Sequence, residues 1–339
     1  MAIIGILFCH ASAYFVMPNL NNPNLYVAAF FDCLRDFSIP IFVMLSGALL
    51  LNRSESFKLF FKKRLSRLFI PFIFWTFIYI LYLYPIDLKG ALDIFLGAPG
   101  TLGVAFWFIW MILVMYIGIF IINKAISIGS KSIDNFSDIL IYILTGLSLL
   151  YFAISRIGLF NPYSSKIIYF ASFITYIIIG YFIAKNDFVG PRIGINKTIA
   201  ITSIASVLLY LYYICYFVVP NSMASNSFAV LGYFNPFLLI LSVNVFIMFK
   251  YLSKTTAFDK VEKSKLGLII LKISKYSFGI YLIHYLILYI LRLNILTRIT
   301  NPNPLLWIIL LVVLTLIISL AILEVLDRIP YLNVFSGKG

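Results

Sequence analysis

The sequence predicts an all-α polytopic integral membrane protein of about ten transmembrane helices with both termini in the cytoplasm. Three observations lead there. Hydrophobic residues make up 63% of the chain and charged residues 11%, against about 25% charged in soluble domains, and the mean hydropathy is +1.04. Apolar runs of bilayer-spanning length recur from end to end of the 339 residues. The lysines and arginines collect in alternate connections between those runs.

A spanning helix needs about 20 mainly apolar residues. That template gives spans at 2–17, 26–51, 67–84, 104–123, 138–155, 167–184, 198–219, 230–250, 267–291 and 305–326. The runs are continuous, whereas a membrane barrel would show alternating segments of roughly ten residues. No stretch is polar enough for a separate soluble domain, so residues 1–339 are read as one membrane domain. The first run has no positive residue before it, and no soluble body follows it, so it reads as a first helix rather than a signal peptide.

Basic residues cluster after the second, fourth, sixth and eighth spans, the strongest groups being Arg53 to Arg67 and Lys250 to Lys275. The intervening connections hold only Lys89, Arg156, Lys166, Arg292 and Arg298. By the positive-inside rule the rich loops are cytoplasmic, and so are both ends. The net charge of +14 is thereby explained by topology and by contact with anionic lipid, and not by a contiguous nucleic-acid face. Three cysteines and two histidines, with no Cys-x-x-Cys, imply neither a disulfide framework nor a bound metal.

Along the chain, the first helix carries His10 in an otherwise apolar segment. An ionisable side chain at membrane depth costs roughly 2.5–3.5 kcal/mol on insertion scales and tends to persist where it does chemistry. A buried histidine that only bonds a neighbouring helix is the other reading. In the second helix Asp32, Arg35 and Asp36 fall at i, i+3 and i+4, on one helical face where they can neutralise one another. Counting ~1.5 Å per residue, His10 lies ~10 Å below the outer end of its helix, and Asp32 and Asp36 lie ~9 and ~15 Å below Tyr26. They bracket the depth of His10, where a carboxylate can orient an imidazole base. A self-contained ion pair is equally open. Pro40 kinks this helix.

The third helix emerges from the basic stretch SFKLFFKKRLSRLFIPFIFW, with Arg64 and Arg67 three apart. Paired guanidiniums suit the phosphates of coenzyme A, and ordinary anchoring explains a basic loop too. The fourth helix opens with Trp107 and Trp110 at the outer interface, where indoles partition and where their faces can also stack on a sugar. The fifth to eighth helices carry tyrosines but suggest no chemistry. The ninth places His284 near mid-depth with Tyr281 and Ser277 on the same face. The tenth carries Glu324 and Asp327 near its cytoplasmic end.

These residues together resemble the membrane-bound acyltransferase family 3, particularly its standalone members that O-acetylate cell-surface glycans. The resemblance rests on IIGILFCHAS, FSIPIFVMLSGALLL, RLSRLFIPFIFW, AFWFIWMILVMY and YSFGIYLIHYLIL, in order along nearly the whole chain. It implies an acetyl-CoA-dependent enzyme in which His10 is essential as general base, with Arg64 and Arg67 at the donor; Asp36 and Asp32 are assigned beside His10 on the depth argument above. Arg35, Trp107, Tyr281 and His284 are then assigned to substrate binding. The acceptor implied is a hydroxyl of a cell-surface polysaccharide or lipid-linked sugar, with membrane lipid as a further partner and no metal. The location implied is a cell membrane, with composition pointing to a bacterial cytoplasmic membrane.

The family pattern also has a basic residue eleven positions before its histidine, which here falls before Met1. The short first helix and the lack of positive charge ahead of it favour a longer frame. Some family members carry a fused esterase-like domain, and here transfer would be completed without one. A transporter or flippase of lipid-linked sugar or acyl groups is the rival reading, with His10, Asp32 and Arg35 as pathway residues.

Overall fold

The computed structural model describes residues 2–16, 24–53, 55–83, 86–156, 166–187, 194–219, 233–295 and 303–338. Among these residues the regular structure is helical, with no strand. The helices are α1 (Ala2–Val16), α2 (Asn24–Asp32), α3 (Leu34–Leu50), α4 (Phe57–Tyr82), α5 (Leu88–Phe95), α6 (Trp107–Gly129), α7 (Phe136–Arg156), α8 (Lys166–Ser172) and α9 (Ile174–Lys185). They continue with α10 (Ile195–Tyr212), α11 (Pro236–Leu252), α12 (Thr256–Glu262), α13 (Lys265–Lys275), α14 (Ser277–Asn294) and α15 (Pro304–Arg328).

Each of the ten expected apolar segments contains a helix. Among the described residues, eight stretches are long and apolar enough to cross a bilayer, and α11 with α12 makes a ninth if their 82° bend is counted within one span. The 15 residues of α1 extend only ~22 Å, against a hydrocarbon core of ~30 Å. Met17, residues 230–232, Arg192 and Arg298 lie outside the described residues.

Three expectations need correction. The third helix begins at Phe57 rather than near 67, because the Ser56 hydroxyl accepts from the Leu59 amide at 3.4 Å and caps it. Arg64 and Arg67 therefore sit within the helix and not at its start. The second segment is interrupted at Cys33, where the Asp36 amide bonds the Cys33 carbonyl at 3.0 Å. Asp32 thus ends one helix while Arg35 and Asp36 begin the next, but Cys33 keeps helical backbone angles and Tyr26–Leu50 runs as one membrane-length stretch, so Arg35 stays within electrostatic range of both carboxylates. The run 267–291 is two helices that meet at Tyr276. That tyrosine donates its hydroxyl to Asp327 at 2.7 Å, and the neighbouring Lys275 pairs with the same carboxylate at 3.2 Å, which fixes the junction against α15.

Caps set other boundaries. Asn235 and Asn303 accept from the Phe237 and Leu306 amides, at 2.9 and 3.4 Å, just ahead of Pro236 and Pro304, so proline opens each helix where its missing N–H is harmless. Close packing uses small residues. A Cβ on Gly47 would stand 2.0 Å from the Ile177 carbonyl oxygen, and one on Gly180 would stand 2.2 Å from that of Met44, so α3 and α9 meet backbone to backbone.

Apolar side chains such as Ile143, Leu147, Ile201, Leu208, Leu306 and Ile317 are exposed on the outside of the bundle, as lipid contact requires. α1 packs on α2, α3, α14 and α15. The short first helix is therefore an internal element, and its polar residues face protein.

Candidate active site

His10 is eight residues along α1 and His284 seven residues along α14, so both stand about 10–12 Å from the starts of their helices. Packing of α1 on α14 brings them together: their ring centroids are 5.2 Å apart, tilted by 39°. The Tyr285 ring meets His10 edge-on at 5.1 Å. His10 is partly exposed, whereas His284 is fully buried.

His284 is held in one orientation from several directions. Its Nδ1 lies 2.6 Å from the Tyr281 carbonyl oxygen, and since a carbonyl only accepts, Nδ1 is assigned the proton. Nε2 is then a bare acceptor, buried and without a hydrogen-bond partner among the described residues. One turn away, the Tyr79 hydroxyl of α4 donates to the Leu282 carbonyl at 2.9 Å and accepts from the Leu286 amide at 3.0 Å. These are the carbonyl and the amide one turn apart on either side of His284, so Tyr79 braces the turn that presents it. Tyr281 donates its hydroxyl to the Ala105 carbonyl and packs its ring at a tilt against Phe108 at 5.2 Å. Sequence reading assigned Tyr281 to substrate binding; its hydroxyl is instead committed to the backbone before α6.

Two other buried hydroxyls share the lack of a partner among the described residues, those of Thr315 and Ser319. They are one turn apart on α15, the helix that packs against both α1 and α14. Contact between Gly279 and Leu323 sets the register of α14 against antiparallel α15 and puts Ser319 near the level of His284.

The charged residues of α2 and α3 lie beside α1 but bond elsewhere. The Cys9 thiol, next to His10 in sequence, donates to Asp32 at 3.5 Å, and this puts Asp32 at the depth of His10. Asp36 is bonded by Arg35 at 3.4 Å and by the Tyr213 hydroxyl at 3.0 Å. Tyr213 opens the π-helical turn Tyr213–Val218 that ends α10, a distortion common at functional positions. Among the described residues neither carboxylate bonds His10. Arg35 keeps partial exposure and lies within electrostatic range of His10 and of Tyr233. Its neighbour Tyr233 packs at a tilt against Trp107, at 6.2 Å between ring centroids. Trp107 also meets Phe170 and Phe173, at 6.3 and 6.4 Å, so it belongs to an aromatic cluster at the start of α6 and does not touch either histidine.

At the other end of the bundle, Arg64 Nη1 bonds Glu55 at 2.7 Å and the Phe60 carbonyl at 3.0 Å, and its guanidinium lies 3.8 Å over the Phe60 ring. The Arg64 hydrogen bond holds the Glu55 carboxyl below its usual range. Arg67 is exposed. Beside Glu55, a recess is lined by Arg53, Asn123, Lys124 and Ser127, and Asn123 ties it together by accepting from the Asn52 amide at 2.8 Å and donating to the Leu50 carbonyl at 2.9 Å.

Sequence reasoning did not anticipate Tyr79, Tyr213, Glu55 or Cys9. Glu55 was the one legible signal, being the single acidic residue in the basic stretch from Arg53 to Arg67. The hydroxyl of a tyrosine among 23 gives no such mark.

No curated protein and no solved structure matches the chain. Among protein families, the acyltransferase family 3 model, described as an acyltransferase domain, matches residues 1–324. With nearly the whole chain matched and a bundle of membrane-spanning length, the protein belongs to acyltransferase family 3 and is a membrane acyltransferase.

Proposed function

We propose that the chain transfers an acetyl or other short acyl group from acyl-coenzyme A to a hydroxyl of a cell-surface polysaccharide or lipid-linked sugar, in a bacterial cytoplasmic membrane, with His10 as general base. The observation that carries this reading is the state of His10. Asp32, Arg35 and Asp36 beside it are engaged in bonds, while His10 has ring contacts, no hydrogen bond among the described residues, and partial exposure. A base needs such a free nitrogen within reach of its proton.

In this reaction the acceptor oxygen attacks the thioester carbonyl as His10 removes its proton, an ester C–O bond forms, the C–S bond breaks, and the thiolate leaves with the proton returned. Asp32 and Asp36 support the site through Cys9 and through Arg35 and Tyr213. The donor's phosphates are taken at the basic end by Arg64 and Arg67, with Arg53 and Lys124 beside them. Guanidinium groups offer paired donors to phosphate oxygens. The aromatic cluster around Trp107, at the far end of the bundle, supplies stacking faces to the acceptor, and both termini are cytoplasmic, as the charge of the loops supports.

The test is label transfer by the purified chain in proteoliposomes, with labelled acetyl-CoA and other short acyl-CoA donors on one side and a lipid-linked glycan as acceptor. Alkali-labile label on the glycan supports the assignment. Movement of glycan or acyl groups across the bilayer with no ester formed supports a transporter instead.

A further inference from the structure

Resting on the acyltransferase reading, we infer that His284 is the positioning partner of His10 and accepts the N–H of His10 when that ring takes the acceptor's proton. In triad chemistry a base histidine is held by a group that accepts from its second nitrogen. Asp32 and Asp36 are the obvious candidates by type, but their bonds go to Cys9, Arg35 and Tyr213. Arg35 only donates. What faces the His10 ring is His284, at 5.2 Å between centroids and tilted by 39°; no hydrogen bond joins the two rings at rest, and the bond forms when His10 becomes the imidazolium.

The state of His284 suits that task. Its Nδ1 proton is committed to the Tyr281 carbonyl, so its Nε2 has only a lone pair to offer, and that lone pair has no partner among the described residues. A buried acceptor left unpaired is costly; an imidazolium at His10 supplies the missing donor. The turn is also held by Tyr79, which bridges Leu282 and Leu286, so the adjustment that makes the bond falls to the partly exposed His10 ring.

The step balances. The hydroxyl proton passes to one His10 nitrogen while the N–H on the other nitrogen is shared with His284 Nε2. The acceptor oxygen joins the acyl carbon, the thiolate departs, and the proton returns from His10 to sulfur. Both histidines end as they began.

The experiment compares wild type, His284→Ala, His284→Gln, His10→Gln and the double variant His10→Gln/His284→Gln in proteoliposomes, with labelled acetyl-CoA and glycan acceptor. His284→Ala is expected to lower kcat about 100-fold, within the range of acid–base contributions, with the KM for donor unchanged within twofold. His284→Gln, whose amide oxygen can accept, recovers at least tenfold of that loss, and imidazole added to His284→Ala restores turnover. The double variant is no slower than His10→Gln alone, since His284 acts through His10. The inference is overturned if His284→Ala keeps kcat within threefold of wild type. It is equally overturned if the glutamine variant is no better than alanine and both lose folded protein to the same extent. A wild-type chain that forms no ester with any donor sinks the acyltransferase reading itself, a result distinct from an active wild type with an active His284→Ala.

Discussion

The rings of His10 and His284, from the first helix and the last but one, stand 5.2 Å apart in the interior of the bundle. They are the only two histidines of the chain. One is partly open and free of hydrogen bonds among the described residues, and the other is closed in with its Nδ1 fixed. That asymmetry fits the proposed division between a group that meets substrate and a group that holds it ready. It also sets the consequences of disturbing each neighbour.

Removing the hydroxyl that braces His284 is the first. Tyr79→Phe removes the hydroxyl that bridges the Leu282 carbonyl and Leu286 amide, at a cost of about 0.5–1.5 kcal/mol per hydrogen bond lost. We expect a lower thermal midpoint in detergent, a roughly tenfold fall in kcat and an unchanged KM for donor. Equal activity in Tyr79→Phe would mean that the helix re-forms its own bond without moving His284.

Glu55 occupies the Arg64 guanidinium that the proposed reaction assigns to the donor. Glu55→Gln frees Arg64 from a half-buried pair worth on the order of 1 kcal/mol, so the KM for acyl-CoA should fall two- to fivefold, while Arg64→Ala should raise it. The Glu55 carboxyl titrates below its usual range because of Arg64, so the pair holds above that lowered value and is lost as pH falls through it. The difference in KM between wild type and Glu55→Gln should therefore vanish at acid pH, measured by initial rates at varied donor.

Asp36 holds Arg35 and Tyr213 rather than His10. Asp36→Asn should reduce folded yield, since leaving a charge without its buried partner costs several kcal/mol, whereas the folded fraction should keep kcat within threefold. Size-exclusion recovery and active-fraction kinetics separate the two. A folded but inactive Asp36→Asn would return the carboxylate to the catalytic group.

Thr315 has a buried hydroxyl without a partner among the described residues. Thr315→Val removes a polar atom and forfeits no hydrogen bond, so the thermal midpoint should stay level or rise. A large drop in acceptor affinity in this variant would instead show that the hydroxyl bonds the substrate.

The helical segments were readable because apolar runs of membrane length have few other uses. His10 stood out because an ionisable group in such a run is costly. What escaped reading depends on single contacts. The local irregularity at Cys33 leaves no mark in the apolar pattern, and the junction at Tyr276 depends on its bond to Asp327, distant in sequence. His284 was noticed, but its meeting with His10 is a matter of which helices pack together, and periodicity within each helix carries no record of that. Trp107 was read as a sugar platform by its type; its neighbours Phe170, Phe173 and Tyr233 come from other segments.

The most direct measurement is label transfer from acetyl-CoA to glycan by wild type and by His10→Ala in proteoliposomes of equal protein content. If His10 is the general base, transfer falls by 10²- to 10⁴-fold while the variant still binds donor and elutes as folded protein. Full transfer by folded His10→Ala would contradict the account at its centre.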